Sequence, residues 1–134
     1  MLKSFDMKTI GFINTFESCT KVAVLDCIFD DHTIYFLVEN GKAGIAIGKS
    51  GKNIKKLQGV LKKQVKVFEY HKEPKKFIEN MMPEESSVKV EGSKANVTID
   101  PKEKGRTIGR SGCNIKKIRE LLERNSDIKK LDIK

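Results

Sequence analysis

The chain has 134 residues, with 27 Lys plus Arg against 18 Asp plus Glu and a formal net charge of +9; that length suffices for one ordinary domain or two very small ones. Its 38% hydrophobic and 34% charged residues supply a core, but no run approaches the roughly 18 uninterrupted apolar residues of a membrane span, and Met1-Leu2-Lys3-Ser4-Phe5-Asp6 lacks the apolar centre of a secretory signal, so a cytoplasmic protein without membrane contact is expected. Cys19, Cys27 and Cys113 form no C-x-x-C and are accompanied only by His32 and His71, which argues against a disulfide framework or a four-ligand zinc site, and no cofactor is expected.

In chain order, the apolar spacing of Ile10, Phe12, Ile13 and Phe16 predicts a helix over Thr9 to Thr20. Strand-like runs follow at Val22 to Phe29 and Thr33 to Val38, with Asp30-Asp31-His32 as the hairpin turn between them. A short helix then runs up to a glycine pair, and a longer one leaves it with Ile54, Leu57, Val60 and Leu61 on one face. Val65 to Tyr70 reads as a closing strand. The order then repeats: a helix over Pro74 to Met82 stopped by Pro83, strands at Ser87 to Val90 and Ala95 to Ile99 around Glu91-Gly92-Ser93-Lys94, and a helix opened by Asp100-Pro101-Lys102-Glu103, a start resembling a capping box. After the second glycine pair, Ile115, Ile118, Leu121 and Leu122 share one face, and Ile128 to Ile133 forms the last strand.

The succession repeats because the sequence does. Gly44 to Leu57 and Gly105 to Ile118 are identical at nine of fourteen positions at an offset of 61, and Lys49/Arg110 and Leu57/Ile118 are conservative. The chain therefore holds two copies of one unit of about 60 to 70 residues, with domains expected at 1–72 and 73–134.

Gly48-Lys49-Ser50-Gly51 and Gly109-Arg110-Ser111-Gly112 join two helices through four residues each. Glycine there accepts positive φ and carries no side chain, so the backbone can approach a ligand closely. The loop also opens the following helix, whose first N–H groups lack intrahelical partners and whose dipole end is positive, a setting that favours phosphate. Lys49, Lys52 and Arg110 add charge and Ser50 and Ser111 add hydroxyls. A single G-x-x-G is more often just a helix-turn-helix hairpin; two copies, each preceded by Ile and followed by Asn-Ile-Lys-Lys one residue on, favour a functional loop.

The pattern I-G-x-x-G-x-x-I, present at Ile47 to Ile54 and Ile108 to Ile115, resembles the signature of KH domains, and the extra helix and strand before it resemble the type II form. The pairing of two such units in one short chain, with the Asp26 to Asp31 segment Asp-Cys-Ile-Phe-Asp-Asp, is similar to the archaeal NusA-like transcription factors. The resemblance implies an α+β fold of two tandem type II KH domains, each a three-stranded sheet packed against helices with a G-x-x-G loop. It also implies single-stranded RNA binding in transcription termination or antitermination, about four nucleotides per unit. The RNA-binding residues it implies are Gly48, Lys49, Ser50, Gly51, Lys52, Asn53 and Lys56 in the first unit, and Arg106, Gly109, Arg110, Ser111, Gly112, Cys113, Asn114 and Lys117 in the second. The second unit departs from the first at Cys113, which replaces Lys52, and at Arg106-Thr107, which replace Ile45-Ala46. Joined rigidly through Pro74 to Met82, the pair is expected to act as a monomer presenting a track for roughly eight unpaired nucleotides, with RNA polymerase or the nascent transcript complex as a further partner.

Competing readings fare less well. The same binding chemistry could serve ribosome biogenesis or RNA processing, and a protein-interaction module would keep the fold without intact loops. Ala43-x-x-x-x-Gly48-Lys49-Ser50 loosely matches a P-loop, but Gly44-Ile45-Ala46-Ile47 is apolar for a phosphate cradle and Arg110 stands where the second copy would need Lys, so no enzyme is expected. None of the seven Phe and two Tyr falls in Lys42 to Lys63 or Lys104 to Arg119, which argues against base stacking on an aromatic sheet. Those two stretches hold seven Lys and six Lys plus Arg, respectively, with no acid, so the surplus charge concentrates on the two loops and their helices.

Overall fold

A computed structural model describes residues 5–134; residues 1–4 of the N-terminal stretch discussed above lie outside the described residues. The chain divides into two compact units, Met1–Tyr70 and His71–Lys134, built in the same order.

In the first, helix α1 (Met7–Thr20) opens at Asp6, whose side chain accepts the Thr9 N–H at 2.7 Å. That bond, first among the causes, holds the Asp6 carboxyl below its ordinary value; the cap is complete above the ordinary range and is lost as pH falls through the lowered one. Strand β1 (Val24–Phe29) begins two residues later than the apolar run. The Val22 N–H is taken by the Thr20 hydroxyl, so the end of α1 holds the residues before Val24 outside the ladder, and the Glu17 carboxylate accepts the N–H of Val24 where the strand opens opposite Val38. The turn into β2 (Thr33–Val38) is made by Asp30, whose carboxylate accepts both the His32 and Thr33 N–H groups at 2.8 Å.

Strand β2 pairs antiparallel with β1 and parallel with β3 (Gln64–Glu69), giving the order β1-β2-β3. Parallel neighbours require a crossover, and here it is α2 (Ala43–Ile47), a 3-10 turn at Lys49–Gly51 and α3 (Lys52–Leu61). The crossover therefore lays the glycine loop outside the sheet. Every residue of β2 is buried. Ile34, Phe36 and Val38 join Phe16, Ala46, Leu57 and Val65 in one cluster, with the Phe16 and Phe36 rings stacked at 4.2 Å. Val60 does not share the buried face expected of it: it is 61% exposed while Leu57 is 1% exposed. An open groove separates it from α1, whose Asn14, Thr15 and Ser18 are too short and polar to close over it.

The second unit repeats this with α4 (Pro74–Asn80), started by Pro74 and buried through Phe77 and Ile78, and with β4 (Ser87–Glu91), β5 (Lys94–Thr98), α5 (Pro101–Ile108), a 3-10 turn at Arg110–Gly112, α6 (Cys113–Asn125) and β6 (Lys130–Ile133). Its sheet has the order β4-β5-β6, again antiparallel then parallel. Gly92, at a φ of 61°, makes the tight turn of the hairpin. Strand β6 starts two residues late because Ile128 and Lys129 donate to Ser126 and Ser93 outside the ladder. The helix start at Asp100 is half of a capping box: Asp100 accepts the Lys102 N–H at 2.9 Å, but the Glu103 carboxylate turns forward to Arg106.

Two substitutions check the assignment of the core. Phe36→Ala should cost about 3–5 kcal/mol and Val60→Ala less than about 0.5 kcal/mol, measured by urea denaturation followed by circular dichroism; comparable losses at the two sites would contradict the packing described.

Candidate nucleic-acid interface

The two loops have one backbone. Gly48 and Gly109 sit at φ 80°, ψ 167° and φ 80°, ψ 170°; Ser50 and Ser111 at φ 55° and 56°; Gly51 and Gly112 at φ 72° and 75°. The first glycine of each loop occupies a region that side chains essentially cannot enter, and closeness adds to the constraint. A Cβ at Gly109 would lie 2.9 Å from both Cβ and N of Asn114, and one at Gly48 would lie 3.0 Å from the Asn53 side chain. The second glycine is different: nothing lies within 4 Å of a Cβ at Gly51, and the nearest atom to one at Gly112 is 3.8 Å away. Its requirement is the left-handed backbone alone. Serine at φ 55° costs of the order of 1 kcal/mol, held in place by the bonds Gly51 N–H to Gly48 O and Gly112 N–H to Gly109 O, both 3.1 Å.

The asparagine after each loop fastens the second helix to the first. Asn114 is buried and its amide donates to the Thr107 carbonyl at 2.7 Å; Asn53 donates more weakly to Ile45 O at 3.4 Å. Both asparagines thus sit beside the loop as positioning residues. Lys49, Ser50, Lys52 and Lys56 are exposed in the first unit, as are Arg106, Arg110, Ser111 and Cys113 in the second, while Lys117 is partly buried. No side chain caps α3 or α6, so their positive ends face outward with cationic side chains around them. Ile45 and Ile47, at 57% and 36% exposure, put apolar surface beside the first loop.

Four side chains that support the site carry no local sequence signal. Glu69, on β3, accepts the Gly41 and Ala43 N–H groups at 2.7 and 3.2 Å and so anchors the start of α2, which has no cap of its own. Gln58 accepts the Val65 N–H at 3.0 Å, and its counterpart Arg119 donates to the Leu131 carbonyl at 3.1 Å; Val65 and Leu131 hold the same place in their sheets, opposite Ile34 and Ala95. Lys63 donates to the Asp30 and Asp31 carbonyls at 3.2 and 2.8 Å, tying the hairpin to β3. The loosened P-loop match has no cradle, because Ala43–Ile47 is helix where an open loop would be needed. Among the described residues no helix is long and apolar enough to cross a membrane, and no three potential metal ligands cluster.

Comparison with known proteins agrees with this geometry. Residues 13–78 match the model of the KH domain and residues 74–134 that of the NusA-like second KH domain. The chain is 32% identical over 138 residues to the probable transcription termination protein NusA of Methanocaldococcus jannaschii, spanning 98% of this chain and 74% of that protein. It is 31% identical over 121 residues to the protein of the same name from Halobacterium salinarum, spanning 87% of each. The crystal structure of APE1850 superposes with a TM-score of 0.74 at 30% identity, covering 97% of this chain and 100% of that one.

The two glycines of a loop should respond differently to a methyl group. Gly109→Ala should destabilise by about 2–4 kcal/mol, from backbone strain and the clash with Asn114 together, and Gly112→Ala by about 1–2 kcal/mol from its backbone alone. Thermal melts of the two variants give the comparison, and an equal or reversed order would contradict the close approach at Gly109.

Proposed function

The chain belongs to the archaeal NusA-like family of tandem KH-domain proteins, RNA-binding factors of transcription termination or antitermination, and we propose that it binds single-stranded RNA by clamping the phosphate backbone on its two glycine loops. The observation that carries this reading is the repetition, to within a few degrees, of an unusual loop backbone at the open N-terminal end of a cation-rich helix. A phosphate can approach the loop because its glycines present no side chains, and uncapped helix N–H groups meet it there. Gly48 to Gly51 with Lys52 and Lys56 form the first clamp, and Gly109 to Gly112 with Arg106, Cys113 and Lys117 the second; Asn53 and Asn114 hold the two clamps in shape. Exposed Ile45 and Ile47 offer apolar contact for an unstacked base. The activity is binding without catalysis, the setting is the cytoplasm, and RNA polymerase or the nascent transcript complex is the partner that would put the RNA within reach. Two weak sites on one chain reinforce each other through effective concentration.

Titration of a labelled single-stranded RNA tests the reading. Lys49→Asp/Ser50→Asp and Arg110→Asp/Ser111→Asp should each weaken binding at least severalfold, since each sets two negative charges against phosphate, and aspartate tolerates the left-handed backbone of Ser50 and Ser111. Duplex RNA should bind far less well than the single strand, and affinity should fall as salt rises. Folded loop variants that bind like the wild type would sink the proposal.

A further inference from the structure

The loops match in backbone but not in the freedom of the charges around them. In the first basic stretch, Lys42 to Lys63, only Lys63 is engaged among the described residues, on the hairpin carbonyls. Lys42, Lys49, Lys52, Lys55, Lys56 and Lys62 have no partner among the described residues. In the second, Lys104 to Arg119, half the cations are engaged: Arg106 pairs with Glu103, Lys117 with Glu120 at 3.2 Å, and Arg119 with the Leu131 carbonyl. That leaves Lys104, Arg110 and Lys116.

The difference comes from substitution at matched positions. Glu103 stands where the first unit has Lys42, and Glu120 where it has Gly59, so each acid stands one helical turn from a cation of the basic stretch. The Glu120 pair is the more consequential, because the Lys117 side chain is 20% exposed and a partly buried pair is screened less by salt than an exposed one. Glu120 also places a negative charge on the very helix whose positive end faces the loop.

Resting on the reading that both loops clamp RNA, we propose that the two clamps are unequal. The first unit is the electrostatic anchor, and Glu120, acting as a positioning residue through Lys117, together with Glu103 through Arg106, holds the second to weaker and less salt-dependent binding. The first unit then captures RNA wherever phosphates are accessible, and the second engages a strand already held nearby. Counterion release links the free cations to an observable: each phosphate neutralised on a single strand contributes about 0.7 to the slope of log affinity against log salt.

The full-length chain is titrated with a fluorescent single-stranded RNA of roughly twelve nucleotides, enough for two sites of about four, between about 50 and 200 mM salt. The first-loop variant Lys49→Asp/Ser50→Asp should lose about tenfold in affinity and flatten the salt slope markedly, and the second-loop variant Arg110→Asp/Ser111→Asp should lose about threefold with a smaller change of slope. Glu120→Gln should tighten binding about two- to threefold and steepen the slope by about 0.7, a gain that a purely structural role for Glu120 would not produce. The gain should vanish when the change is made in a Lys117→Gln background. A second-loop loss as large as the first-loop loss, a Glu120→Gln variant indistinguishable from wild type, or a gain that survives without Lys117 would overturn the inference while leaving RNA binding intact. Failure of the wild-type chain to bind single-stranded RNA would instead remove the underlying reading, and the inference with it.

Discussion

The interface depends on one close approach: the backbone of the first loop glycine lies against the first turn of the next helix, with no room for a side chain between them. At Gly109 an added Cβ would stand 2.9 Å from the nitrogen of Asn114, well inside van der Waals contact. That proximity folds the chain back sharply enough for the end of one helix to become the beginning of another within four residues. It also fixes the feature on which the proposed clamp rests. Because the turn is made by backbone packed on backbone, the N–H groups at its outer side are left without side-chain caps, and the charged side chains of the loop have nowhere to point but outward.

The sheet supplies the frame for that turn. Parallel pairing of β2 with β3, and of β5 with β6, obliges the chain to leave the sheet and return in the same direction, and the helix-loop-helix is the path it takes. The buried central strand holds the base of the crossover through the cluster in which Phe36, stacked on Phe16 of α1, gathers with Ala46 of α2 and Leu57 of α3. Contacts at the edge strand then fix the helices against the sheet: Glu69 at the start of α2, Gln58 at Val65 and Arg119 at Leu131. The left-handed serine of each loop is held by the loop's own bonds, Gly51 N–H to Gly48 O and Gly112 N–H to Gly109 O, while these contacts hold the helices on either side of it.

Features governed by neighbouring residues were legible in the sequence. The Asp30 turn, the Asp100-Pro101 helix start and the glycine loops all depend on backbone chemistry within a few positions, and the internal repeat made the loops stand out from ordinary helix hairpins. The apolar spacing also located α1, the six strands and the long helix after each loop to within a few residues, and prolines, a cap and the glycine pairs marked the shorter helices. What escaped depends on distance or competition. Val60 fits the helical stripe, but whether it is buried depends on the short polar side chains of α1 opposite it. Glu69 and Lys63 act on backbone groups 26 to 33 residues away, and nothing in the local pattern marks them. Glu103 looked like half of a capping box; Arg106, one turn ahead, offered its carboxylate a charged partner, and the charge prevailed over the backbone N–H.

The two copies differ in how they close. α3 has 10 residues and returns to its strand through Lys62 and Lys63; α6 has 13 and returns through Ser126 to Lys129. A chain carrying two nearly identical helix-loop-helix segments runs the risk that, while still unfolded, one copy docks on the sheet of the other. Here such a mispairing would bring the wrong length of chain to the edge strand, and since neighbouring residues of a strand face opposite sides, an odd slip would turn its apolar residues to water. The two loops thus stay alike while the crossovers that carry them differ in length, and each return is matched to the register of its own sheet.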